Sequence, residues 1–148
     1  MLITLNINDE NVQKSRHAFL DFIAPALYRY ERYSVDSSLA LLYSDEEINY
    51  DACSCHIRQS DSLIQLNPNL IGIVFDNVSL AHGIKASENL LMSYRKFNMN
   101  QNLFFAVTSV ADQESSLDKG EELMLLLRYA IKNKLKNEIV DCYQLKGV

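Results

Sequence analysis

The chain has 148 residues, of which 48% are hydrophobic and 22% charged, with a formal net charge of −5. That is enough for one domain with a sizeable core, read here as a single unit over residues 1–148. It excludes a broad nucleic-acid footprint, since no long basic run occurs. It also excludes a membrane span, since no apolar run approaches the roughly 20 residues needed to cross a bilayer.

The N-terminal MLITLNINDENVQK lacks a basic segment followed by an apolar core, so no secretion signal is read and a cytoplasmic location is expected. Three cysteines in such a chain are expected to be reduced thiols. Four glycines and two prolines are few, which argues for long, regular elements.

Residues 9–32 are expected to form a helix. Val12, Phe19, Phe22, Ile23, Ala26, Leu27 and Tyr30 recur at spacings of three and four. Asp9 is its expected cap, and Pro25 marks a site for a kink. Residues 36–43 form an apolar run of strand length, expected to be buried on both faces. Residues 44–57 read as a short helix from Asp45 to Ile57, with Ile48, Ala52, Cys55 and Ile57 inward.

Two apolar strands follow, Ser62–Leu66 and Leu70–Phe75, joined by a tight turn at Asn67-Pro68-Asn69. A second strong helix spans residues 79–96, capped by Ser79, with Leu80, Ile84, Leu90, Leu91 and Tyr94 inward. Asn98–Asn102 is a polar turn, Leu103–Val110 a strand and Asp112–Ser116 a polar loop. The third long helix runs from Leu117 to Leu135, entered through Ser116 or Asp118. Its last turns carry Lys132, Lys134 and Lys136, suited to the negative end of the helix dipole. Glu138–Leu145 is the last strand. No internal repeat, low-complexity segment or linker is seen.

This order predicts an α+β fold: a ferredoxin-like, palm-type βαββαβ sheet with an N-terminal helix, a C-terminal strand and a shortened first crossover. Right-handed crossovers would place the long helices on one face of a largely antiparallel sheet.

Three stretches resemble the GGDEF domain family, the diguanylate cyclases, over residues 18–143. HAFLDFIAPALYRYERYSVDSSLALLY is similar to that family's N-terminal helix and first strand. IRQSDSLIQLNPNLIGIVFDNVSLAHGIKASENLL is similar to its hairpin and following helix, and FFAVTSVA to a strand that follows. The resemblance implies a palm-like domain, in a family that joins two GTP molecules into cyclic di-GMP, and a place in bacterial signalling.

It also implies that the chemistry is lost. The Gly-Gly-Asp/Glu-Glu-Phe signature turn maps onto Asn67-Pro68-Asn69-Leu70-Ile71. The family's metal-binding Asp at the end of the first strand maps onto Tyr43. The segment carrying the nucleotide-contacting helix after that strand is deleted. Phosphoryl transfer by this route needs a divalent cation held by carboxylates against the triphosphate. Asp45, Glu46 and Glu47 lie beyond the strand end and read as a solvated acidic loop. The expectation is a domain without cyclase activity and without metal or cofactor.

Many members of the family carry an Arg-x-x-Asp product site five residues before the signature. Arg58-Gln59-Ser60-Asp61 has that spacing from Asn67. Arg forks onto a guanine edge or phosphate, and Asp accepts from a guanine amino group. The family often adds a basic residue on the following helix. Asn89 stands at that position, and Lys85, one turn earlier, is the substitute. Two readings stay open. One is a cyclic di-GMP receptor using Arg58, Asp61 and Lys85. The other is a surface ion pair in a protein-interaction or dimerisation module with no nucleotide ligand.

Other constellations are weaker. Cys53-Ser54-Cys55-His56, with or without Cys142, lacks the usual zinc spacing, and partly buried thiols are the plain alternative. Tyr28, Tyr30 and Tyr33 read as a core rim or a contact surface. His17 is read as core edge or surface, and His82 as exposed.

Overall fold

The computed structural model describes residues 10–111 and 118–143. The expected cap at Asp9, the loop Asp112–Ser116, the start of the third helix at Leu117 and the last residues of the C-terminal strand lie outside the described residues, as does the side chain of Val12. The elements are α1 (Glu10–Tyr33), β1 (Ser37–Ser44), α2 (Tyr50–Ser54), β2 (Ser62–Asn67), β3 (Leu70–Asp76), α3 (Leu80–Phe97), β4 (Leu103–Ser109), α4 (Lys119–Lys132) and β5 (Ile139–Asp141).

The sheet has the order β2-β3-β1-β4-β5. All neighbours are antiparallel except β4 and β5. β1 is central, and apart from Tyr43 every one of its residues is buried, as its apolar run predicts. Its side chains alternate between two cores. Leu39 and Leu41 face α1 and α4, packing with Phe19, Ile23, Leu123 and Leu127. Ala40 and Leu42 face α3, packing with Leu90, Tyr94, Ile48 and Cys53.

This corrects the expectation that the long helices share one face. The two crossovers of the βαββαβ unit, through α2 and α3, do share one. α4 lies on the other with α1. β3→β4 and β4→β5 step the same way across the sheet between parallel strands. With their helices on opposite faces, these two connections have opposite hands. The physical reason is coverage. With α3 already over one side of β1 and β4, the apolar side chains Leu39, Leu41 and Ala106 need α4 on the other.

α1 runs on through Pro25, whose ring lies on the exposed side. It is clasped at two points, by Arg16 on Glu121 of α4 and by Arg29 on Asp76 of β3. Ser79 caps α3, accepting a bond from the His82 N–H. α3 sits close to β1 because Gly83 has no side chain. A Cβ there would lie 2.1 Å from Ser38 Oγ. Asp118 caps α4 by accepting from the Glu121 N–H at 2.7 Å. The helix stops at Lys132, before the expected Leu135, because Asn133 caps it and Lys134 adopts φ 55°. β5 is only three residues long. The Asp141 carboxylate accepts the Tyr143 N–H at 2.9 Å and turns the chain out of the sheet.

Candidate functional site

The hairpin between β2 and β3 places Asn67-Pro68-Asn69 at one end of the sheet, beside the end of β1. The tip is closed by its own amides. Asn67 Oδ1 accepts the Asn69 N–H at 2.8 Å. Asn69 Nδ2 donates to the carbonyls of Ser44 and Asp45 at 2.9 and 3.1 Å. The Ser44 and Ile48 N–H groups donate back to the carbonyls of Asn69 and Pro68. The loop Ser44–Asn49 is thereby drawn down against the tip, and Ile48 is buried beneath it. Leu70 and Ile71 are core residues.

A second set of bonds holds the same loop from the far side. Gln101 Nε2 donates to Ser44 Oγ and to the carbonyls of Glu46 and Glu47 at 3.1, 3.3 and 3.0 Å. Its Oε1 accepts the Tyr94 hydroxyl proton at 2.7 Å, and the Tyr94 oxygen accepts the Asn49 N–H at 3.0 Å. Asn49 then caps α2 by accepting from the Ala52 N–H. Five residues expected to be helical are therefore a fixed loop, and α2 starts only at Tyr50. Gln101 lies in a polar run with no periodic signal, so its role could not be read from the sequence.

These residues do not fit a carboxylate-held divalent ion. Tyr43 stands at the strand end with a phenol pushed above its ordinary value by burial and then by the nearby Asp45 carboxylate. Asp45, Glu46 and Glu47 are exposed, and their backbone carbonyls are already occupied by Asn69 and Gln101.

Arg58 and Asp61 lie at the other end of the hairpin, beside Asp76 at the end of β3. The two places are about 20 Å apart along the strands. The pair is a built turn. Arg58 Nη2 and Nε donate to Asp61 Oδ1 and Oδ2 at 2.8 and 3.2 Å. Asp61 also accepts the N–H groups of Arg58 and Asp76, each at 3.0 Å. Its side chain is 2% exposed, against 53% for Arg58. Arg58 Nη2 also donates to the Asp76 carbonyl at 2.6 Å. The bond to Asp61 holds the guanidinium charged beyond its ordinary range. Asp61 is therefore a buried hub that aims Arg58. Lys85 is exposed on α3. Among the described residues it makes no ion pair with this turn.

Cys53 is buried on the α3 side of the sheet and Cys142 on the α4 side, while Cys55 and His56 are exposed. The inward placement expected of Cys55 is thus corrected: α2 ends at Ser54, and Cys55 is already its C-cap. Among the described residues no three His, Cys, Asp or Glu side chains come together as a metal site. Tyr30 packs against the core, whereas Tyr28 and Tyr33 are exposed. His17 is exposed, and so is His82, whose Nδ1 lies 3.3 Å from Ser79 Oγ. Lys119 and Glu122 form a buried pair that takes a third partner in Thr108 and that no sequence expectation named.

No family model and no curated protein matches the chain. Solved structures do. The chain is similar to the GGDEF domain of DgcB from Caulobacter crescentus, solved in complex with c-di-GMP. That likeness has a TM-score of 0.70 and 14% identity, covering 86% of this chain and 90% of that one. It is similar to the GGDEF domain of PA1120 (YfiN or TpbB) from Pseudomonas aeruginosa, with a TM-score of 0.68 and 12% identity over 85% and 94% of the two chains. It is also similar to the diguanylate cyclase SiaD from Pseudomonas aeruginosa, solved with its activator SiaC. There the TM-score is 0.67 and the identity 14%, over 92% of this chain and 62% of that one. The fold is GGDEF-like, as the sequence resemblance implies, and at these identities the likeness is one of fold.

Proposed function

We propose that this is a signalling domain that has given up turnover and acts by binding, with Arg58 as the contact point for cyclic di-GMP. The observation that carries the first half is the filled hairpin tip. Asn69 and Gln101 hold the Ser44–Asn49 loop down against the tip, and among the described residues no three His, Cys, Asp or Glu side chains gather as a metal site. Supporting the second half is the Arg58 turn, in which an exposed guanidinium is held in one orientation by a buried carboxylate. Arg58 meets a phosphate or guanine edge through its outward nitrogen, Asp61 positions it, and Lys85 supplies a further positive charge from α3. Neighbours in fold solved with c-di-GMP lend the ligand class.

Two measurements test this. Incubation with GTP and Mg²⁺ or Mn²⁺ is expected to yield no cyclic di-GMP, and detectable product ends the non-catalytic reading. Titration calorimetry with cyclic di-GMP is expected to show binding that Arg58→Ala abolishes and Lys85→Ala weakens. An absence of heat at high protein concentration removes the receptor. A second reading, an interaction module without nucleotide, is favoured by the large apolar side chains Met92, Phe97 and Met99 left in solvent at the end of α3.

A further inference from the structure

α3 turns one stripe of side chains to solvent: Lys85, Glu88, Met92 and Lys96, with Met99 just past the helix end. Spacings of three and four put them on a single face. Met92 is 60% exposed, Phe97 84% and Met99 73%. Met92 and Met99 belong to the stripe, whereas Phe97, five residues on from Met92, turns to the far side of the helix. Beside the stripe runs a groove of about 650 Å³ between α3 and the start of β5, lined by Ile84, Leu91 and Ile139 and rimmed by Glu88, Arg95 and Glu138. Arg95 Nε is buried there without a hydrogen-bond partner. Among the described residues neither Glu88 nor Lys96 has an ion-pair partner.

We propose that this face docks a second copy of the chain, with the two α3 helices antiparallel about a two-fold axis at Met92. Across such an axis each residue meets the one equally far from Met92 on the other side. Glu88 precedes Met92 by four residues and Lys96 follows it by four. The rotation therefore sets Glu88 of each copy against Lys96 of the other, one pair on either side of a Met92–Met92 contact. The same rule sets Asn89 against Arg95, an amide oxygen toward a guanidinium. Met99, seven residues past Met92, comes level with Lys85 of the other copy.

A uniformly acidic or basic partner would set a like charge against Glu88 or Lys96. Opposite charges placed evenly about an apolar centre fit their own rotated copy instead. The contact involves neither Arg58 nor the hairpin tip. It shares Lys85 with the nucleotide reading, but its test changes no residue of that site and contains no nucleotide.

Sedimentation velocity on the full chain over a concentration series decides it. The native chain is expected to dimerise. Glu88→Lys and Lys96→Glu alone each place like charges across the axis and are expected to be monomeric. An equimolar mixture of those two variants is expected to dimerise again, because each supplies the sign the other lacks. The double variant E88K/K96E is expected to recover the dimer too. Met92→Lys is expected to stay monomeric in every mixture. All of these positions are exposed, and circular dichroism confirms that each variant is folded. A native chain that remains monomeric at hundreds of micromolar overturns the proposal. So do single variants that dimerise as the native chain does, or a mixture that stays monomeric.

Discussion

Gln101 grips the loop after β1 with both ends of its amide, and its loss would be felt by four partners at once. Gln101→Ala leaves the Tyr94 hydroxyl, the Ser44 hydroxyl and the carbonyls of Glu46 and Glu47 short of a partner. A cost of about 2–3 kcal/mol is expected by urea denaturation. Gly83 inverts a familiar rule. Alanine ordinarily stabilises a helix interior relative to glycine by about 1 kcal/mol. Here the new Cβ would fall 2.3 Å from Ser38 Cβ, so Gly83→Ala is expected to destabilise by about 2–3 kcal/mol. Burial pushes the Cys53 thiol up to about 12, while Cys55 is exposed. Brief iodoacetamide treatment of the native chain at pH 8 should modify Cys55 and spare Cys53, as read by peptide mass spectrometry. At this scale the sequence displayed Arg58 and Asp61 at a telling spacing. It hid that Asp61 is filled by two backbone N–H groups as well as by Arg58, because one of them, the Asp76 N–H, is 15 residues away.

Among the elements, the first four strands and the long helices were legible because their apolar periods are strong; β5 stops at Asp141, short of the expected strand. Ser79 marked one helix start, and Asp118 was one of two candidates for another. The acidic segment after β1 was not. Its helical composition is overridden by long-range bonds from Asn69 and Gln101. Nor was the side of the sheet taken by α4, since handedness rules do not count which apolar face is still uncovered. The hairpin tip and this loop form one unit, which bears on attempts at repair. Replacing Asn67–Ile71 with Gly-Gly-Asp-Glu-Phe removes the Asn69 amide that anchors the loop and, on the proposed non-catalytic reading, still leaves Tyr43 where the resemblance would put a metal-binding Asp. Product is expected to stay undetectable in a cyclase assay, with a lower melting temperature than the native chain.

The molecule as a whole should be alkali-sensitive. Burial raises the folded-state values of Cys53, Tyr43 and Tyr94 above 9.0 for the thiol and 10.0 for the phenols. Between the unfolded and folded values the native chain holds more protons than the unfolded one, so stability falls as pH rises. Stability is expected to be undiminished by these groups below pH 9 and to drop through about pH 12, with a shallower decline in Cys53→Ala, as measured by denaturant midpoints. The central position of β1 has one more consequence. Its amides are paired with β3 on one side and β4 on the other, beneath helices on both faces. Deuterium should reach them last, through global opening alone, while the short edge β5 and the outer strand β2 label early.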